Sequence, residues 1–191
     1  MNPYDELLQE IQGCSRCHLA AGRLNTVPGE GSLQADVMLV GEGPGADEDA
    51  SGRPFVGKAG QLLDRMLEFV KIDRSAVYIA NVIKCRPPGN RNPLSEEVEA
   101  CLPFLRRQVQ IIKPKLIVCM GSVAAKAVMD PEAMISKIRG EFVEKKGLLF
   151  FATYHPAALL RNDDLKWDSW RDFKKIKAYM DGETGAEHEE N

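Results

Sequence analysis

Residues 36–41 read DVMLVG: one acid, four apolar residues in succession, then a glycine. An apolar run this short, closed by turn formers and free of polar alternation, is a strand buried on both faces. Three more runs repeat the pattern: AVYIANVI at 76–83, KLIVCMG at 115–121 and LLFFATY at 148–154. Helical patterns separate them, AGQLLDRMLEFVKI at 59–72, SEEVEACLPFLRRQVQIIK at 95–113 and SVAAKAVM at 122–129. Doubly buried strands joined through helices form a parallel sheet covered on both sides. The expectation is therefore an α/β fold on a four-stranded, mainly parallel sheet. The segment IRGEFVEKKGLLFF at 138–151 adds a hairpin into the last strand, and a final helix over about 164–180 turns Leu165, Trp167, Trp170, Phe173 and Ile176 toward the core.

With 191 residues, the chain can bury one sizeable core and is short for two. A single domain over 1–180 is expected, followed by an acidic, disordered tail over 181–191. That tail, DGETGAEHEEN, holds five acids and no Lys or Arg, so the net charge of -3 hides a slightly basic body. No apolar run approaches the roughly 18 residues of a membrane span, and the first fifteen residues are acidic and amphipathic. The expectation is a cytoplasmic monomer. Five cysteines, an odd number, without an export signal argue against a disulfide framework and for metal binding or reactive thiols.

Sheets of this kind bind ligands where the carboxyl ends of the strands meet loops. Four loops qualify: GEGPGADEDASGRPFVGKAG (41–60), NVIKCRPPGNRNPLS (81–95), GSVAAK (121–126) and YHPAALLRND (154–163). The first imitates a dinucleotide fingerprint, but Pro44 and ADEDASG promise no helix to hold a pyrophosphate. GRPFVGKA imitates a phosphate loop yet ends in Ala59 where magnesium needs Ser or Thr. What remains is a glycine turn bearing one carboxylate, Glu42, with Phe55 a short reach away; glycines admit a flat ligand and an aromatic face stacks on it, which suits a nucleobase.

Cys14 and Cys17 form a C-x-x-C pair, and Cys85 and Cys101 flank a loop and a helix start. Four thiolates suit tetrahedral zinc or an iron-sulfur cluster; zinc sites usually show two tight pairs, and this chain has one. Cys119, inside LIVCMG, reads as a small buried hydrophobe. In the last loop His155 ends a strand, and Leu159 and Leu160 beside Arg161 would suit a wedge pushed into a base stack.

Taken together, GEGPGADED, GRPFVGKAGQLLD, YIANVIKCRPPGNRNP and YHPAALLR, with the spacing of the four cysteines, resemble the family-four, iron-sulfur uracil-DNA glycosylases over residues 14–161. Gly43 stands where that family commonly has Ala, and no long basic, histidine-bearing insertion suggests covalent trapping of DNA. The resemblance implies a three-layer α/β/α sandwich, one four-iron, four-sulfur cluster on Cys14, Cys17, Cys85 and Cys101, no nucleotide cofactor and no catalytic metal. It implies hydrolysis of the uracil–deoxyribose bond in uracil-containing DNA, as in base excision repair. Uracil would meet Gly41, Glu42, Gly43, Glu48, Phe55, Asn81 and His155, with Phe55 stacking on the ring, the Asn81 amide reading O4 and N3–H, and Glu48 crowding C5 against thymine. Lys84, Arg86, Arg91 and Arg161 would hold phosphates while Leu159 and Leu160 fill the vacated stack. Glu42 and His155 would be catalytic: His155 donating to O2 with the glycine turn, Glu42 activating water by elimination. A non-catalytic iron-sulfur module would not need Glu42, Asn81 and His155 together, and a nucleotide hydrolase would need the phosphate site that is missing.

Overall fold

The computed structural model describes residues 2–183; the part of the proposed acidic tail from 184 onward lies outside them. In chain order the main elements are α1 (Pro3–Gln12), β1 (Glu30–Gly31), β2 (Val37–Gly41), α2 (Ala46–Ser51), α3 (Lys58–Phe69), β3 (Tyr78–Asn81), α4 (Ser95–Ile112), β4 (Leu116–Met120), α5 (Ser122–Val128), α6 (Ile135–Ile138), β5 (Phe142–Lys145), β6 (Leu148–Thr153), α7 (Pro156–Arg161) and α8 (Lys166–Met180). The four expected strands are present as β2, β3, β4 and β6, all mutually parallel.

The sheet has six strands rather than four, ordered β1-β3-β2-β4-β6-β5. Both additions are antiparallel edges: the expected hairpin contributes β5 beside β6, and the two-residue β1 lies along β3. Alternation within the doubly buried strands divides the core. Met38 and Val40 face one side with Leu7 and Ile11 of α1, Phe104 and Leu105 of α4 and Ala124 and Ala125 of α5. Val37 and Leu39 face the other with Leu63 and Leu67 of α3 and Phe173 and Ile176 of α8. This is the α/β/α sandwich. No helix among the described residues is long and apolar enough to cross a membrane.

Two local expectations fail. A helix does start after GEGPG: α2 opens at Ala46, with Asp47, Glu48 and Asp49 in its first turn, where carboxylates are stabilised by the helix dipole. What excludes a dinucleotide is therefore the charge of those acids, not a missing helix. In α8, Trp167 is 70% exposed, since it lies off the face carrying the buried Phe173 and Ile176.

Strand β2 connects through α2 and α3 to β3 on one side, and the chain then returns through α4 to β4 on its other side. Reversal of winding direction opens a crevice beyond the carboxyl ends of the strands, where ligands bind in such sheets.

Candidate active site

The crevice gathers residues from four strand ends. Gly41 of β2 is the register partner of Asn81 of β3. A Cβ built on Gly41 would stand 2.5 Å from Asn81 Oδ1 and 2.5 Å from Phe55 Cζ, so only glycine permits this packing. Phe55, at φ 52°, stacks on the His155 ring with centroids 5.5 Å apart and planes inclined by 30°. His155 itself rests on Gly121, at φ +95°, where a Cβ would meet the His155 Cβ at 2.8 Å. Gly121 was passed over in the sequence, although its place directly after LIVCM marks it as a strand-end turn. The end of β6 is fixed by Asp172, fully buried, which accepts from Thr153 Oγ1 at 2.7 Å and pairs with Arg139.

Polar groups in the crevice are held in definite states. Asn81 is 2% exposed and its Oδ1 has no hydrogen-bond partner. The Ala157 N–H donates to His155 Nδ1 at 3.0 Å, so a neutral ring carries its proton on Nε2. Burial, reinforced by the Arg161 charge, pulls the His155 pKa down to about 4, and the ring is neutral at pH 7. Burial pushes the Glu42 carboxyl above the usual range, opposed by Arg161. Gly43 packs against Ile83, where a Cβ would fall 2.6 Å from Cγ1; an Ala at this position would need Ile83 to shift.

Other expected site residues have different duties. Glu48 does not aim at a base edge: its Oε1 accepts the Val56 and Gly57 N–H groups at 3.1 and 3.0 Å and its Oε2 the Gly45 N–H at 3.2 Å. It braces the loop that presents Phe55. Glu48→Ala is expected to lower unfolding stability by about 1–3 kcal/mol, read from urea denaturation, without creating activity on thymine. Thymine release by this variant would return Glu48 to the C5 edge.

Lys84 is 1% exposed and cannot reach a phosphate; burial pulls its pKa down to about 8. Arg91 is committed to Glu97, donating at 2.9 and 2.6 Å, and the buried Glu97 is held well below the carboxylate range, at about 2, chiefly by that guanidinium. Arg86 is half-buried, with Nε donating to Asn90 Oδ1 at 2.7 Å. Arg161 is exposed. Leu159 is fully buried and cannot act as a wedge, whereas Leu160 is 45% exposed, because the α7 period turns adjacent leucines about 100° apart, one into the core and one to the surface.

The four cysteines lie apart from this crevice and line one small cavity, together with Ile83, Lys84 and Phe104. Among the described residues no three His, Cys, Asp or Glu side chains form a group able to hold one metal ion. Instead the thiols surround a space, and N–H groups point at their sulfurs: Arg16 N to Cys14 at 3.5 Å, Lys84 N to Cys101 at 3.2 Å and Arg23 Nη1 to Cys85 at 3.5 Å. This donor set, soft thiols with N–H support around a void, fits a multi-atom inorganic group. Burial, opposed by Lys84 and reinforced by Cys85 and Cys14, pushes the Cys101 thiol up to about 11, so binding must displace its proton.

The uracil DNA glycosylase superfamily model matches residues 28–177. A Type-4 uracil-DNA glycosylase of Archaeoglobus fulgidus is 45% identical over 184 residues, covering 92% of each chain. One of Sulfurisphaera tokodaii is 44% identical over 186 residues, 93% of this chain and 84% of the relative. A Type-5 uracil-DNA glycosylase of Pyrobaculum aerophilum reaches only 30%, over 82% of this chain and 83% of that one, which separates the two types. The strand-end crevice and these likenesses agree, and the chain belongs to the uracil-DNA glycosylase superfamily, within its Type-4 family.

Proposed function

We propose that this uracil-DNA glycosylase reads the flipped base with Asn81, receives its O2 with the neutral His155 and activates water with Glu42. The observation carrying the reading is the buried, unpartnered Asn81 Oδ1 beside the Phe55–His155 stack. Leaving such an acceptor unsatisfied costs about 1–3 kcal/mol, a cost relieved when a donor arrives. The N3–H of uracil is that donor, and the Asn81 amide N–H donates in return to O4.

Turning uracil out of a duplex costs a few kcal/mol. Leu160 fills the gap in the stack, while Arg86 and Arg161 hold phosphates without reading sequence. Phe55 flanks the ring. As the C1′–N1 bond breaks, its electron pair leaves with uracil N1, and His155 Nε2–H with the N–H groups of the Gly41–Gly43 turn stabilise charge spreading to O2. The water oxygen bonds to C1′ and its proton passes to Glu42, whose carboxylate also favours a cationic sugar. Incubation with an oligonucleotide carrying one uracil, then alkali, is expected to cut the strand at that position alone; an intact strand overturns the reading.

The cysteine cavity is proposed to hold one four-iron, four-sulfur cluster on Cys14, Cys17, Cys85 and Cys101. When bound it supplies a structural tie between the N-terminal segment and the loop after β3, and base hydrolysis needs no redox step from it. Anaerobically purified protein is expected to be brown, with equal iron and inorganic sulfide. Zinc in place of iron would overturn this assignment.

A further inference from the structure

Lys84 is the one buried lysine among the described residues. Its ammonium donates to the Asn81 carbonyl and to Gln108 Oε1, each at 2.8 Å. Gln108 is in turn fixed, its amide donating to the Pro28 carbonyl at 2.8 Å and the Tyr78 hydroxyl at 3.0 Å. Every acceptor in this shell is neutral, and no carboxylate among the described residues pairs with Lys84. A buried cation without an anion is costly, so the shell is incomplete as drawn by side chains alone.

The missing charge lies on the backbone side of the same residue. The Lys84 N–H donates to Cys101 Sγ at 3.2 Å, Lys84 lines the cysteine cavity, and Cys85 follows it in sequence. Four thiolates around an iron-sulfur core carry net negative charge, which gives the ammonium its counter-ion. One residue thus touches the cavity with its backbone and the base-reading end of β3 with its side chain.

We propose that Lys84 is a positioning residue joining the two sites: its ammonium is the buried counter-cation of the cysteine-bound cluster and, through the Asn81 carbonyl, holds in place the amide that meets the base. The inference rests on the cluster assignment above. Loss of the charge makes the cluster harder to reduce, and loss of the hydrogen bond loosens Asn81 without removing it.

The test uses the cluster-loaded protein and two variants, Lys84→Gln, which removes the charge and, being shorter, gives up the bond to the Asn81 carbonyl, and Lys84→Arg, which keeps the charge. Three quantities are measured: iron content, the midpoint potential of the bound cluster, and inhibition by free uracil. Lys84→Gln is expected to shift the potential to more negative values and weaken uracil inhibition several-fold; Lys84→Arg is expected to restore the potential toward wild type. A purely structural role would not make the potential follow charge. Wild-type protein without iron overturns the cluster assignment and this inference with it. Iron-loaded Lys84→Gln with an unshifted potential, or with unchanged uracil inhibition, overturns the inference alone. Failure of Lys84→Gln to fold would assign the ammonium to folding and overturn the coupling as well.

Discussion

In single-turnover assays, Glu42→Gln is expected to release uracil about 10²–10⁴-fold more slowly than wild type. The substitution keeps size and hydrogen-bonding capacity but removes the charge that takes the proton of water and favours the cationic sugar, so affinity for uracil-DNA should hardly change. Because burial raises the Glu42 pKa, the active carboxylate is lost at a higher pH than an ordinary glutamate would be as the medium is acidified. The wild-type rate should fall as pH drops through that raised value, and fall again near pH 4 as protonation of His155 Nδ1 breaks the Ala157 N–H bond that orients the ring. Glu42→Gln should keep only the second fall. A near-wild-type rate, or an unchanged first fall, would move the catalytic burden elsewhere.

Asn81→Asp is expected to cost less, and by a different route. The carboxylate sets an acceptor against uracil O4 in a position only 2% exposed, where each mismatched group costs about 1–3 kcal/mol, or roughly five- to 150-fold in kcat/KM. Cytosine offers an amino donor to the new acceptor, so any cytosine release should be confined to unpaired or mispaired sites, where flipping costs least. Matched oligonucleotides bearing uracil or cytosine measure both. Wild-type uracil release by Asn81→Asp or Asn81→Ala would show that the residue does not read the base.

The four parallel strands were legible because burial on both faces leaves unbroken apolar runs, as in LIVCM of β4. Strand β1 was not, because Glu30 and Gly31 carry no such run and pair with β3 through backbone alone. Gly41, Phe55, Asn81 and His155 could be picked out because each lies at or just beyond a strand end, or on a glycine-rich loop. Lys84 was misread for a physical reason: within KCRPPGN it resembles a loop cation, and only its partner Gln108, supplied by α4, shows that it points inward. Leu159 and Leu160 were misread together, since neighbours in sequence part onto different faces once α7 forms. Glu48 looked free because the N–H groups it holds belong to residues 45, 56 and 57, brought together only by the folded loop.

The wide sequence separation of the four cysteines sets a timetable for the growing chain. Cys14 and Cys17 leave the ribosome long before Cys101, with synthesis proceeding at about 5–20 residues per second. Helix α1 is under the same delay, because Leu7 and Ile11 pack in the core shared with Phe104 and Leu105 of α4. Helix α1 therefore has no finished surface to settle on until α4 has been made. Closing so long a loop slows folding, and a nascent chain ending before Cys101 has only three of the four thiols. Assembly of the proposed cluster is consequently a late event of biosynthesis, timed by translation of α4.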